Sequence, residues 1–224
     1  MGRPAALSRE RIVLVAAQFV ADHGAGALSA RRLGETLGCD PSALYRHFAN
    51  MGDLEREVAD RLLADIDVDS LHSHTWRSAL RRICVDLRSV QLQYPRFAAL
   101  IRSAPTRLAN ELRITEAMLR ELARSGLPPA QAAAAYHALI ELTVGSAAVD
   151  APLASEPVTT RRRLYRDWRA DYAALDTVAF PASVAASAHL YEGSADDRFE
   201  FALDLLLDGL QARLAVPRDG VSIR

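Results

Sequence analysis

The sequence of 224 residues contains no lysine: its 27 basic side chains are all arginine, set against 28 aspartates and glutamates for a formal net charge of −1. We read the missing lysine as codon bias of GC-rich DNA rather than selection for guanidinium chemistry. The near balance of charge excludes an overall positive field, so any nucleic-acid binding has to come from a local patch. Cysteine is scarce as well. Cys39 and Cys84 stand far apart and outside CxxC spacing, which excludes a disulfide scaffold or zinc ribbon and leaves two structural thiols. No apolar run approaches the roughly 18 residues of a membrane span, and the opening "MGRPAALSRERIV" lacks the charged segment, apolar core and cleavage site of a signal peptide. A cytoplasmic globular protein with no membrane partner is expected. Strand signals are nearly absent too: no apolar/polar alternation is bounded by Asn-Gly or Asp-Gly, and no internal repeat is visible.

What the chain has instead is apolar residues at spacings of three and four, the mark of an all-α fold. Ser8 is placed to cap a first helix carrying Ile12, Ala16, Phe19, Val20 and His23 on one face before Gly24 and Gly26. Ser29 caps a second through Leu37, with Gly38 at its end. Asp40 and Pro41 open a third, ending near Phe48, and Asn50 with Asp53 opens a fourth whose stripe is Leu54, Val58, Leu62 and Ile66. The expected organisation is a helix-turn-helix unit at 1–52, a connecting helix and linker at 53–69, a larger helical domain at 70–216 and a flexible tail at 217–224.

On the third helix, an advance of 100° per residue puts Leu44 and Phe48 beside Pro41 and leaves Ser42, Ala43, Arg46 and His47 outward, with Tyr45 at the boundary. Glu and Lys would suffice for solubility there. Arg46 suits paired hydrogen bonds to guanine, Ser42 a base or phosphate, and Ala43 a thymine methyl. Tyr45 and His47 suit phosphates, as do the free N–H groups of the second helix behind Ser29, Arg31 and Arg32. Arg3, in Gly2-Arg3-Pro4, offers a weaker signal for a minor-groove or backbone contact.

The run "LSRERIVLVAAQFVADHGAGALSARRLGETLGCDPSALYRHFANMGDL", Leu7 to Leu54, resembles the DNA-binding domain of the TetR (tetracycline repressor-like) family of transcriptional regulators. The small-residue first helix, Ser29, Gly38, Leu44-Tyr45-x-His47-Phe48 and Leu54 stand in register with it, and "DDRFEFALDLLLDGLQARL" resembles the last helix of many members. The resemblance implies a homodimer that binds double-stranded operator DNA and encloses a small-molecule effector in its C-terminal domain. Ser42, Ala43 and Arg46 then align with base-facing positions, and Ser29, Tyr45 and His47 with phosphate-facing ones. Met51 departs from the pattern, because members usually carry a backbone-contacting Lys there.

In the C-terminal part, Pro129–Val149 and Phe199–Leu214 are apolar almost all round, so each is expected to be buried on more than one side. A dimer interface is expected on Tyr136, Ile140, Phe199, Ala202, Leu205, Leu206, Gly209 and Leu210. Trp76, Phe97, Tyr136, His137, Thr143, Trp168 and Tyr172 are the candidate lining of an effector pocket, apolar walls with few polar groups. Arg161, Arg162, Arg163, Arg166 and Arg169 read as the solvated back of an aromatic-faced helix that follows a loop at Asp150–Thr159. His72 and His74 lack further ligands for a metal, no GxSxG supports acyl transfer, and no cofactor is implied. An all-α ligand carrier or enzyme with a structural N-terminal unit is the alternative.

Overall fold

In the computed structural model, which describes residues 7–94, 106–154 and 156–215, the first helix starts where the Ser8 hydroxyl accepts the Arg11 N–H at 3.2 Å. This helix, α1 (Arg9–His23), ends at Gly24. Ser29 caps α2 (Ala30–Leu37) in the same way, and Gly38, at φ 66°, takes the left-handed turn that closes it. Asp40 opens a six-residue segment, Pro41–Arg46, and Asn50 caps α3 (Met51–Leu62) by accepting the Asp53 N–H at 2.9 Å. Ile12, Ala16, Phe19, Val20, Leu33, Leu44, Phe48, Leu54 and Val58 converge on one core. Each large aliphatic side chain fully buried there contributes roughly 1.5–3 kcal/mol. These residues form the head.

α3 is shorter than its apolar stripe suggested. It ends at Leu62, and Leu63 and Ile66 are buried in a second core that forms the body of the molecule. The body is built from α4 (Trp76–Gln93), α5 (Ala109–Arg124), α6 (Pro129–Ala154) and α9 (Ala195–Ala215). Arg88 of α4 lies against Ser146 and Asp150 of α6, so those two helices run in the same direction. Arg77 reaches Asp208 and Arg81 reaches Glu200, so α9 runs the other way. Between α6 and α9 lie α7 (Val158–Ala173) and the short α8 (Pro181–Ala186), and neither buries a side chain. Among the described residues the fold is all-α.

Two expectations for α6 are corrected. It extends through Pro152 to Ala154, across the first half of the expected loop, and only one stripe is buried: Ala132, Ala135, Leu139, Thr143 and Ala147. By length and composition this helix is apolar enough to cross a membrane, yet its buried stripe packs against α4, α5 and α9 at the centre of the body. Tyr136, Ile140 and Leu142 flank that stripe half-buried, and Val149 is 78% exposed.

Head and body are joined by reciprocal capping. The buried Asp60 carboxylate of α3 accepts the backbone N–H groups of Asn110 (3.1 Å) and Glu111 (2.9 Å), the first donors of α5, together with the Asn110 side chain. In return Arg113 of α5 donates to the carbonyls of Ala64 and Ile66, just past the end of α3. Each helix thus satisfies terminal groups that the other cannot bond within itself. A second join is Tyr94, at the end of α4, which packs against the head core.

Candidate nucleic-acid interface

The outward segment of the head is 3-10 rather than α. Ala43 bonds back to Asp40 and His47 to Leu44, closing i to i−3 rings, and the regular segment ends at Arg46, two residues before Phe48. Its start is pinned at both sides. Asp40 Oδ1 accepts the Ser42 N–H at 2.8 Å, and Pro41 lies against Gly34 of α2. Six residues held this way close tightly instead of running a long i to i−4 ladder. Hydrogen bonds from the Ser42 side chain and then its backbone N–H hold the Asp40 carboxyl below its usual range, so this cap stays ionised.

The division of faces survives the tighter winding. Leu44 and Phe48 are buried, while Ser42, Tyr45 and Arg46 are exposed, Tyr45 by 50%. Ala43 and His47 are half-buried. A residue not singled out from the sequence holds the far end: Arg9 of α1 donates to the His47 carbonyl, pairs with Glu57 of α3 and stacks 4.4 Å over the Phe48 ring. No local pattern announces that contact, because its partners lie 38 to 48 residues away.

Beside this segment stands the start of α2. Ser29, Arg31 and Arg32 are exposed, and the Ser29 hydroxyl accepts the Arg32 N–H at 3.4 Å, leaving its own proton to donate outward. Among the described residues Arg31 is paired only with Glu35, at 3.8 Å and on the surface, a contact too exposed to hold it. Met51 opens α3 and packs against the head core. Arg3 lies outside the described residues. The face that remains is cationic and hydroxyl-bearing, with orphan N–H groups at one side, which is the chemistry that binds phosphate and reads base edges.

Sequence comparison agrees with this geometry. Residues 12–58 match the family described as bacterial regulatory proteins, tetR family, and residues 70–214 match the tetracyclin repressor-like C-terminal domain. The tetracycline repressor protein class C of Escherichia coli is 31% identical, over 92% of this chain and 91% of its own. The chain belongs to the TetR family. Among solved structures, this TetR-family regulator resembles ActR of Streptomyces coelicolor in complex with (S)-DNPA, with a TM-score of 0.79 at 25% identity over 94% of this chain and all of that one. A putative transcription regulator of the same organism, SCO7704, aligns with a TM-score of 0.67 at 32% identity, over 97% and 99% of the two chains.

The body of the TetR-family chain rearranges the expected effector and dimer residues. Thr143 is fully buried and bonds the Leu139 carbonyl of its own helix. Tyr136 bonds Thr115 across α5 and α6, Trp76 packs partly buried on the body core, and His137 is exposed. Phe97 and the side chain of His72 lie outside the described residues, as does 217–224. Trp168 and Tyr172 cluster instead around Tyr191, at 5.0 and 6.4 Å between ring centres. That cluster adjoins a cavity of ≈ 880 Å³ between α7 and the ends of α4, α6 and α9. Arg161, Arg162, Arg166 and Arg169 line it, while Arg162, Arg163 and Arg166 are exposed, so the arginine side of α7 faces solvent as expected and also walls this open cavity.

On α9, Phe199 and Leu210 fill the chain's own core with Leu203 and Leu207, and are not available to a second subunit. The stripe through Leu205 and Gly209 is exposed and Ala202 half-exposed, and Phe201, which the sequence reading passed over, is 67% exposed beside them. Ile140, Tyr136 and Leu206 are half-buried against the core.

Proposed function

We propose that the protein is a cytoplasmic homodimeric repressor that binds a palindromic operator and releases it when a small molecule occupies the body. The observation that carries the reading is the head's short segment, where Leu44 and Phe48 are locked inward and Ser42, Tyr45 and Arg46 are held outward beside the Ser29-capped start of α2. A side chain seated on so rigid a frame reads bases with little entropy lost on binding. Two such heads span successive major grooves, roughly 34–36 Å apart, only when paired by dyad symmetry.

Dimer formation has its own support. Phe201, Leu205 (57% exposed) and Val149 (78%) are apolar and open, and β-carbons added at Gly145 and Gly209 would meet no atom within 4 Å. Helices α6 and α9 thus offer a smooth apolar surface of the kind that pairs with its own copy. The ligand response follows by analogy with ActR, solved with (S)-DNPA. An inducing ligand must bind the DNA-incompetent arrangement more tightly. DNase footprinting of the promoter beside the protein's own gene tests the reading. Protection of a dyad-symmetric site, lost when its half-sites are shuffled, is expected; equal protection of shuffled DNA would remove specific recognition.

A further inference from the structure

Four guanidinium groups on α7, those of Arg161, Arg162, Arg166 and Arg169, form one wall of the ≈ 880 Å³ cavity, and of these Arg169 donates to the Tyr191 carbonyl at 3.4 Å. The carboxylates on the opposite wall are already engaged. Asp150 and Asp196 both pair with Arg88, itself almost wholly buried and stacked 4.8 Å from the Phe199 ring. Asp197 accepts the N–H and hydroxyl of Ser194 at 2.7 and 2.8 Å. By contrast, the side chains of Arg161 and Arg162 make no hydrogen bond or ion pair among the described residues, and Arg166 has only its exposed neighbour Asp167, 3.5 Å away. The cavity therefore holds unspent positive charge. Its remaining surface is aromatic: Tyr165 and Tyr191 stack at 5.8 Å between ring centres, and Tyr191 holds a left-handed φ of 56° to do so.

We propose that this cavity is the effector site and that the effector is an aromatic organic anion. The proposal rests on the ligand-responsive reading above and adds the place and the chemistry. The volume lies within the roughly 300–1,000 Å³ that holds molecules of drug size. Planar rings match the tyrosine stack, and acidic oxygens match guanidinium forks. The site is also wired to the head. Leu92 and Gln93 of α4 line it, and the next residue, Tyr94, packs on the head core. An anion that draws α7 toward α4 thus acts one residue from the head, and through Asp150 and Asp196 it acts on the Arg88 junction of α4, α6 and α9.

The test uses the full-length protein and two fluorescent probes of one skeleton, 8-anilinonaphthalene-1-sulfonate and uncharged N-phenyl-1-naphthylamine. The sulfonate is expected to saturate at one site per chain and to bind at least tenfold more tightly than the neutral probe. The double variant Arg161→Gln/Arg162→Gln weakens it at least tenfold, the Arg161→Lys/Arg162→Lys pair stays within threefold, and Arg163→Gln, on the same helix but off the cavity wall, changes nothing. Equal affinity of the two probes, or equal loss in Arg163→Gln, overturns the site. On the footprinted operator, the sulfonate lowers DNA affinity of the wild type and not of the Gln pair; sulfonate bound with DNA affinity unchanged overturns the effector role. Absence of any specific operator sinks the regulator reading instead, and the probe titration still decides whether the anion site exists.

Discussion

Gly34 of α2 sits so close to Cys39 that a β-carbon on it would stand 2.9 Å from the Cys39 carbonyl oxygen and 3.2 Å from Pro41 Cγ. The turn between α2 and the reading segment is tight because this glycine has no side chain. Two effects oppose each other in Gly34→Ala. Alanine favours the helix by about 1 kcal/mol, whereas overpacking against a backbone oxygen costs about 1–3 kcal/mol. Since a carbonyl fixed in the turn cannot step aside as a flexible side chain would, the clash wins. Thermal unfolding should shift down by several degrees, with DNA affinity falling further than stability; a stabilised, fully binding variant would show that the turn yields.

Arg46 and Arg32 should fail differently. Arg46→Ala is expected to lose about 1–3 kcal/mol of operator affinity and to relax the preference at one base position of each half-site. Arg32→Ala should weaken all sequences alike and reduce the slope of log affinity against log salt by about one per head. Binding titrations over a set of single-base operator variants at several salt concentrations separate them. An unchanged base preference in Arg46→Ala would leave that residue without its role.

How much of this was legible in advance follows from how local each feature is. Ser8, Ser29, Asp40 and Asn50 cap within three residues of themselves, so their spacing alone placed the helix starts. Leu44 and Phe48 divide inside from outside under either winding, so the outward set could be read although the segment proved to be 3-10 rather than α. Arg9 on His47, Asp60 on α5 and Arg113 on the end of α3 join residues tens of positions apart, and no periodicity marks them. The cavity beside the exposed arginine face of α7 was hidden for a related reason. A helical wheel shows which side is charged, but the ends of α4, α6 and α9 decide whether a cavity also opens beside it.

Leu205→Glu should divide the proposed dimer without unfolding the subunit, because Leu205 is exposed and an added carboxylate would be buried only in the proposed interface. Sedimentation is expected to report a species near 24.5 kDa with an unchanged helical spectrum. Phe199→Ala is the contrast. It removes a core ring and should cost about 3–5 kcal/mol of stability. A Leu205→Glu protein that remains dimeric would move the interface off this stripe.

Asp60→Ala leaves the first N–H groups of α5 without their acceptor in a site too buried for water to replace it easily. Losing several such bonds should cost about 2–4 kcal/mol. Asp60→Asn keeps one carbonyl acceptor and should recover part of that. Because the bond spans head and body, hydrogen exchange is expected to rise at Asn110 and Glu111 before it rises in the head core. Uniform acceleration across both cores would show that the joint has no separate stability.

The alkaline limit of stability should carry the signature of Cys84. Burial pushes its thiol up to about 11 from an ordinary 9.0, and a hydrogen bond with Thr143 pulls only partly the other way. Below pH 9 the thiol is protonated in both folded and unfolded chains, and its contribution is intact. As pH climbs from 9 toward 11 the unfolded chain releases this proton while the folded chain retains it, so unfolding gains about 1.4 kcal/mol per pH unit, or roughly 2–3 kcal/mol across the window. At pH 8 the same burial keeps Cys84 from forming thiolate, whereas Cys39 is half-exposed in the turn. Ellman's reagent is therefore expected to count one thiol in the native chain and two in guanidinium. Denaturant melts of wild type and Cys84→Ala at pH 8, 9, 10 and 11 complete the test. The variant starts less stable and declines less steeply, and parallel declines would assign the alkaline loss to the tyrosines instead.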